Sequence, residues 1–191
     1  LTTISYISYS NTNTYQNMIQ NRFLFDESIQ STFRDNNYTN NVRLGAMSNW
    51  SLILNPKNKI EFRNVFNQLA TKETVIRSGE LFENNLEVAN QSFRYEQKSI
   101  LSSQLNGTHE LNDKTRFKWI GGFGYTQRSE PDFRRFTSSR ALGSEGAYKI
   151  DLQQFESPTL QQAARFWSNM DEFVLTATAS VDRVIGTKHS D

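Results

Sequence analysis

The sequence predicts an all-β chain, an antiparallel transmembrane β-barrel segment of about six long strands. Three observations predict it. Apolar and polar residues alternate with period two over long runs, as in a strand with two unlike faces. Short turns alternate with long connections along the chain, as in barrels whose turns lie on one side of a membrane and loops on the other. Aromatic residues gather near both ends of the runs, where rings favour the two lipid–water boundaries.

The elements follow in order. A first strand near 2–14 alternates imperfectly, because Tyr6 and Ile7 fall on opposite faces. The strand near 42–54 is the cleanest: Val42, Leu44, Ala46, Trp50, Leu52 and Leu54 share one face, and Arg43, Gly45, Asn49 and Ser51 the other. The run Asn55-Pro56-Lys57-Asn58-Lys59 is a turn signal. Alternation resumes near 60–68, with Ile60, Phe62 and Phe66 set against Glu61, Arg63 and Asn67. Near 92–106, Phe93, Tyr95, Leu101 and Leu105 oppose Arg94, Glu96, Lys98 and Gln104, and a turn is expected from Asn106 to Lys114. Near 115–126, Phe117, Trp119, Gly121, Phe123 and Tyr125 oppose Arg116, Lys118, Gly122, Gly124 and Thr126. The last strand, near 173–184, sets Phe173, Leu175, Ala177, Ala179 and Val181 against Thr176, Thr178, Ser180 and Asp182. Long extracellular loops are expected near 15–41, 69–91 and 127–171.

These strands exceed the globular average of about five or six residues and match tilted strands crossing a bilayer. Backbone polar groups in lipid need partners within the protein, so only closed barrels survive there. Single-chain barrels start at about eight strands, so this set is expected to be a fragment of a larger barrel. The start, Leu1-Thr2-Thr3-Ile4, reads like the middle of a strand and not like a signal peptide.

Composition narrows the function classes. Lys and Arg number 21 against 20 Asp and Glu, which gives no basic stripe for nucleic acid. Hydrophobic residues are only 36%, yet aromatics reach 13%, which suits a one-layer wall better than a soluble core. Cysteine is absent, so disulfide and thiolate chemistry are excluded within the chain. No run is apolar enough for a membrane helix. His109 and His189 have no companion ligands at metal spacing, no Gly-x-Ser-x-Gly elbow occurs, and Gly121-Gly122-Phe123-Gly124 is followed by no helix. Neither an enzyme nor a cofactor is expected.

The run Gly121 to Phe136, containing Glu130-Pro131-Asp132-Phe133-Arg134-Arg135, resembles a strand-to-loop junction of TonB-dependent outer-membrane receptors, in particular those with a carboxypeptidase-regulatory-like N-terminal extension. Phe93-Arg94-Tyr95-Glu96-Gln97-Lys98-Ser99, the following Gly107-Thr108-His109, and Asn55-Pro56-Lys57-Asn58-Lys59-Ile60 are similar to that group as well; together they span most of 42–135. The resemblance implies a barrel of about 22 strands with a plugged lumen, in the bacterial outer membrane. It implies uptake of a scarce nutrient, energised by TonB through a plug that is not in this segment. The implied partners are outer-membrane lipid, the rest of the barrel, the plug, a surface lipoprotein, and a small-molecule, glycan or peptide ligand. A structural barrel serving secretion or adhesion is the alternative, and a soluble β-sandwich binding module the third reading.

Candidate ligand or partner residues lie in the third long loop. Arg128, Glu130, Asp132, Arg134 and Arg135 form a mixed-charge cluster, whose simpler reading is a self-neutralising loop. Ser157-Pro158 reads as a helix start, which would put Leu160, Ala163, Ala164 and Trp167 on one helical face. Phe166 and Trp167 complete the candidate patch.

Overall fold

The computed structural model describes residues 1–150 and 163–186. Among these the chain is all-β and antiparallel, with no helix beyond a three-residue 3-10 turn, Phe82–Asn84. Eight strands form one sheet: β1 (Thr2–Phe23), β2 (Ile29–Asn55), β3 (Asn58–Leu81), β4 (Leu86–Asn112), β5 (Thr115–Phe136), β6 (Ser138–Ala141), β7 (Lys149–Ile150) and β8 (Ala164–Arg183). The main order is β1-β2-β3-β4-β5-β8, and the sheet is open. At the far end of β4, β6 succeeds β5 as its neighbour, and β7 pairs with β6.

The six long strands run to 20–27 residues, or about 65–90 Å at ~3.3 Å per residue. This corrects the expected boundaries. Residues 15–41 and 69–91 are mainly paired strand around tight ends, and 127–136 continue β5. The expected turn at Asn106–Lys114 contracts: Asn106 to Glu110 remain in the ladder, and the chain reverses at Asp113-Lys114. The helical face is also corrected, because Ala164 and Trp167 lie in strand β8. Ser157, Pro158, Leu160 and His189 lie outside the described residues.

The reversals have local causes. Asn55 Oδ1 accepts the Lys57 backbone N–H at 3.0 Å, and Asn112 Oδ1 accepts that of Lys114 at 3.0 Å. At the opposite end, Asp26 Oδ1 accepts the Ser28 N–H at 3.1 Å. Each side chain imitates a turn hydrogen bond within its own loop. Asn85 closes the β3–β4 reversal in the left-handed region, φ 56°, a conformation asparagine tolerates.

Register places the alternating residues in continuous rows. Ile7, Ala46, Phe66, Leu101, Tyr125 and Phe173 stand side by side, and so do Trp50, Phe62, Leu105, Gly121 and Ala177. These rows make one apolar face. Leu44, Leu52, Phe62, Phe123, Leu175 and Val181 are exposed on it, with no second layer among the described residues. Shallow hollows of about 510 and 450 Å³ lie there, over Ala46 and Ser48 and over Gly121 and Ala177. The polar atoms crossing this face are satisfied sideways: Ser5 and Ser48 hydroxyls meet at 2.8 Å, and Ser103 donates to Asn64 at 2.7 Å.

The opposite face is charged, though Tyr6, Met47 and Val65 form an apolar row across it. Its side chains include Arg43, Arg63 and Lys118. The most shielded side chains, Ser31 (1% exposed), Asp35 (3%), Glu130 (3%) and Val88 (8%), all lie on this face, which fits a sheet curled toward it.

Candidate functional site

The Glu130-Pro131-Asp132 segment breaks the β5 ladder. Proline has no N–H to donate, so it is tolerated in a sheet at bulges and edges. Register shifts between Glu130 and Phe133 against β8, and opposite Phe93–Gln97 against β4. One extra residue in β5 reverses the alternation beyond it. The predicted cluster is therefore divided between faces: Arg128 and Glu130 point to the charged face, Asp132 and Arg134 to the apolar side, and Arg135 to the charged face again.

On the charged face Glu130 accepts the Arg94 Nε–H at 2.7 Å and lies 3.6 Å from Arg128 Nη2. Glu96 completes the chain, paired with Arg128 and, at 3.3 Å, with Lys98. Burial opposes the Glu96 carboxylate, but Arg128 and Lys98 outweigh it and hold its pKa below the usual value. The Glu130 hydrogen bond raises the Arg94 guanidinium above its ordinary value. Further out, Arg77 grips Asp35 with two bonds of 2.7 Å and packs its guanidinium 4.9 Å from the Phe33 ring centre. Paired, planar contacts of this kind are the stronger class of ion pair.

Arg135 differs. Its Nη2 is buried without a hydrogen-bond partner, and burial pushes its pKa down. Arg43, on the same face, has no ion-pair partner among the described residues.

On the other face Arg165 holds Asp132 through bonds of 3.0 and 2.8 Å, and Arg134 adds one of 2.5 Å. The Arg165 contact, opposed by partial desolvation and helped by Arg134, lowers the Asp132 pKa to about 2. Arg165 also lies 5.3 Å from the Trp167 ring centre. Phe166 faces the other way, beside Phe133 in register. Of the seven predicted residues, Arg128 and Glu130 thus join an ionic chain on the charged face, Asp132, Arg134 and Trp167 gather with Arg165 in a clamp joining β5 to β8 on the other, and Arg135 and Phe166 stand on the charged face outside both.

Sequence reasoning missed Arg94, Glu96, Asp35 and Arg77 as members of these clusters. Arg94 and Glu130 are 36 residues apart, and Arg77 and Asp35 are 42 apart. Only the strand register makes them neighbours, so spacing along the chain carried no signal. No group of metal-ligating side chains occurs among the described residues. No family model, curated protein or solved structure matches the chain.

Proposed function

We propose that this chain is a wall segment of a larger bacterial outer-membrane β-barrel of the TonB-dependent receptor type, with its apolar face in lipid and its charged face toward the lumen. One observation carries the reading: a single-layer sheet of six very long strands whose apolar face has nothing packed on it among the described residues. In water such a face costs ~25 cal/mol per Å² of exposed apolar area, whereas in a bilayer it is matched by its surroundings. Along β2 the apolar face runs from Leu54 to Val42, about 40 Å of strand, or about 28 Å in height at a ~45° tilt. That matches an apolar band about 25 Å tall. Trp50, Phe62, Phe117 and Trp119 lie near the tight-turn end of the band, Tyr9, Tyr125 and Phe173 near the other.

The open edges β1 and β8 then join further strands, and the Tyr6–Met47–Val65 row suits contact with a plug. The strands continue well past the band, so the upper charged face lines a vestibule rather than loose loops. Solute uptake is the role this architecture supports best, with Arg43, Arg135, Arg94 and Arg128 on the path. The resemblance of the Glu130–Arg135 segment supports the receptor class over a secretion or adhesion barrel. A soluble β-sandwich fits poorly, because no second layer covers the apolar rows among the described residues.

The test is the native polypeptide, identified by a peptide spanning Glu130–Arg135. A denatured mass several times that of this chain, and extraction only with detergent, is expected. A chain of this size, soluble without detergent, contradicts the proposal.

A further inference from the structure

At the tight-turn end, one chain of hydrogen bonds crosses β3, β4 and β5 on the apolar side. The Trp119 indole N–H donates to His109 Nε2 at 3.0 Å, and His109 Nδ1 lies 2.7 Å from Asn58 Oδ1. Asn58 Nδ2 donates to Asn55 Oδ1 at 2.9 Å, the same oxygen that receives the Lys57 backbone N–H. Register sets the chain up, with Asn58 opposite His109 and Gly107 opposite Trp119. Glycine leaves the room: a Cβ on Gly107 would lie 2.1 Å from Trp119 Nε1 and 2.3 Å from Cε2. The His109 ring runs nearly parallel to those of Trp119 and Phe117, at 15° and 23°.

Both ends of this chain are groups that can only donate, an indole N–H and a backbone N–H. That fixes everything between them. The Asn55 oxygen is held by Lys57, so Asn58 offers it an NH2 group and turns its own oxygen to His109. His109 Nδ1 must then carry a proton, and Nε2 must keep the lone pair that Trp119 addresses. The ring is neutral and in one tautomer. A second proton has only Nε2 to occupy, where it sets N–H against N–H. The strands packed against His109 supply no carboxylate on its face to hold an imidazolium. The charged pairs at this end, Lys59–Glu61, Glu110–Arg116 and Lys118–Asp182, alternate to the other face. Arg183 on β8 shares the face of His109, and Lys57, Asp113 and Lys114 occupy the two turns.

We propose that His109 is a proton-operated latch at the tight-turn end of the sheet. Neutral, it ties β5 through β4 to the β2–β3 turn and holds the Trp119 indole over Gly107. Histidine gains its charge as pH falls from about 8 to about 5. The Trp119 bond is then lost, while the Asn58 bond survives, because Nδ1 donates in both states. The latch depends on strand register and not on the membrane reading.

The experiment uses the full polypeptide containing this chain, purified intact with fluorotryptophan in place of tryptophan. Fluorine NMR follows it from about pH 8 to about 5, the range in which histidine charges. The Trp119 signal is identified by its absence in Trp119→Phe. In wild type it should shift in a single protonation step, and His109→Gln should abolish that step. Gly107→Ala, which pushes the indole off the strand, should hold the signal near its acid position at every pH. A wild-type signal that does not move, or a step that persists in His109→Gln, overturns the inference. Neither outcome depends on whether extraction needs detergent, so the latch and the barrel reading fail separately.

Discussion

The two halves of the sheet, divided near the row Tyr9–Leu44–Gln68, solve different problems. In the half nearer the tight turns, the two faces differ sharply: aliphatic and aromatic rows on one side, scattered charges on the other. In the outer half both faces are polar, and order comes from specific pairs, Asp35 with Arg77, Glu130 with Arg94, and Asn40 with Asn11. The first half is fixed by what its faces meet, the second by what its side chains make with one another. Environment should therefore govern stability in the first half, and single partners in the second.

The largest effect is expected where a charge is forced into the apolar band. Ala46→Arg, nearer the middle of the band in the row of Phe66, should cost about 2–4 kcal/mol and impair assembly, whereas Arg43→Leu should be tolerated; barrel yield in outer-membrane fractions measures both. Reversed outcomes would mean that the two faces are assigned the wrong way round. Close packing comes next. A Cβ on Gly79 would lie 2.1 Å from the Thr32 carbonyl oxygen and 2.8 Å from Phe33 Cα, backbone atoms that cannot yield cheaply. Gly79→Ala should destabilise by about 1–3 kcal/mol, read by chemical unfolding in detergent.

In the outer half, Glu130→Gln leaves Arg94 and Arg128 facing each other without their shared carboxylate. Glu130 is buried but both arginines are partly exposed, so solvent screening limits the expected loss to about 1–2 kcal/mol. The same unfolding assay reads it, and unchanged stability would show that the ionic chain does not hold the outer half together.

The smallest effect is a pH dependence. Asp132 has its pKa depressed from the model-peptide value near 4 to about 2 by Arg165 and Arg134. A depressed carboxylate contributes stability above its unfolded pKa and loses it as pH falls through the folded one. The β5–β8 clamp should thus hold down to about pH 4 and be lost toward pH 2. Asp132→Asn should flatten that part of the pH profile, and an unchanged profile would remove the clamp as its cause.

The contrast between halves also explains what was legible in the sequence. Val42 to Leu54 and Phe117 to Tyr125 announced their strands, because an apolar face against a polar one is a period-two signal. Residues 29–41 read as loop because Asn36, Asn37, Asn40 and Asn41 place polar groups on both faces and asparagine disfavours strands in isolation. Their pairing comes from β1 and β3, and no single stretch contains it. The helical spacing of Ala164 and Trp167 was a coincidence of small and aromatic residues that pairing with β5 overrides. The Glu130–Arg135 cluster was recognised as charge, but its division between faces depends on the bulge at Pro131. Without a register, that one-residue shift could not be read.

The most direct test of the central claim is accessibility along β2. The chain has no native cysteine, so single cysteines at positions 43–46 and 50–53 can be spin-labelled in the reconstituted full polypeptide. Labels at 44, 46, 50 and 52 should be reached by oxygen dissolved in the bilayer, and those at 43, 45, 51 and 53 by a water-soluble paramagnetic reagent. Water access at every position, or the inverse alternation, would contradict this assignment of the faces.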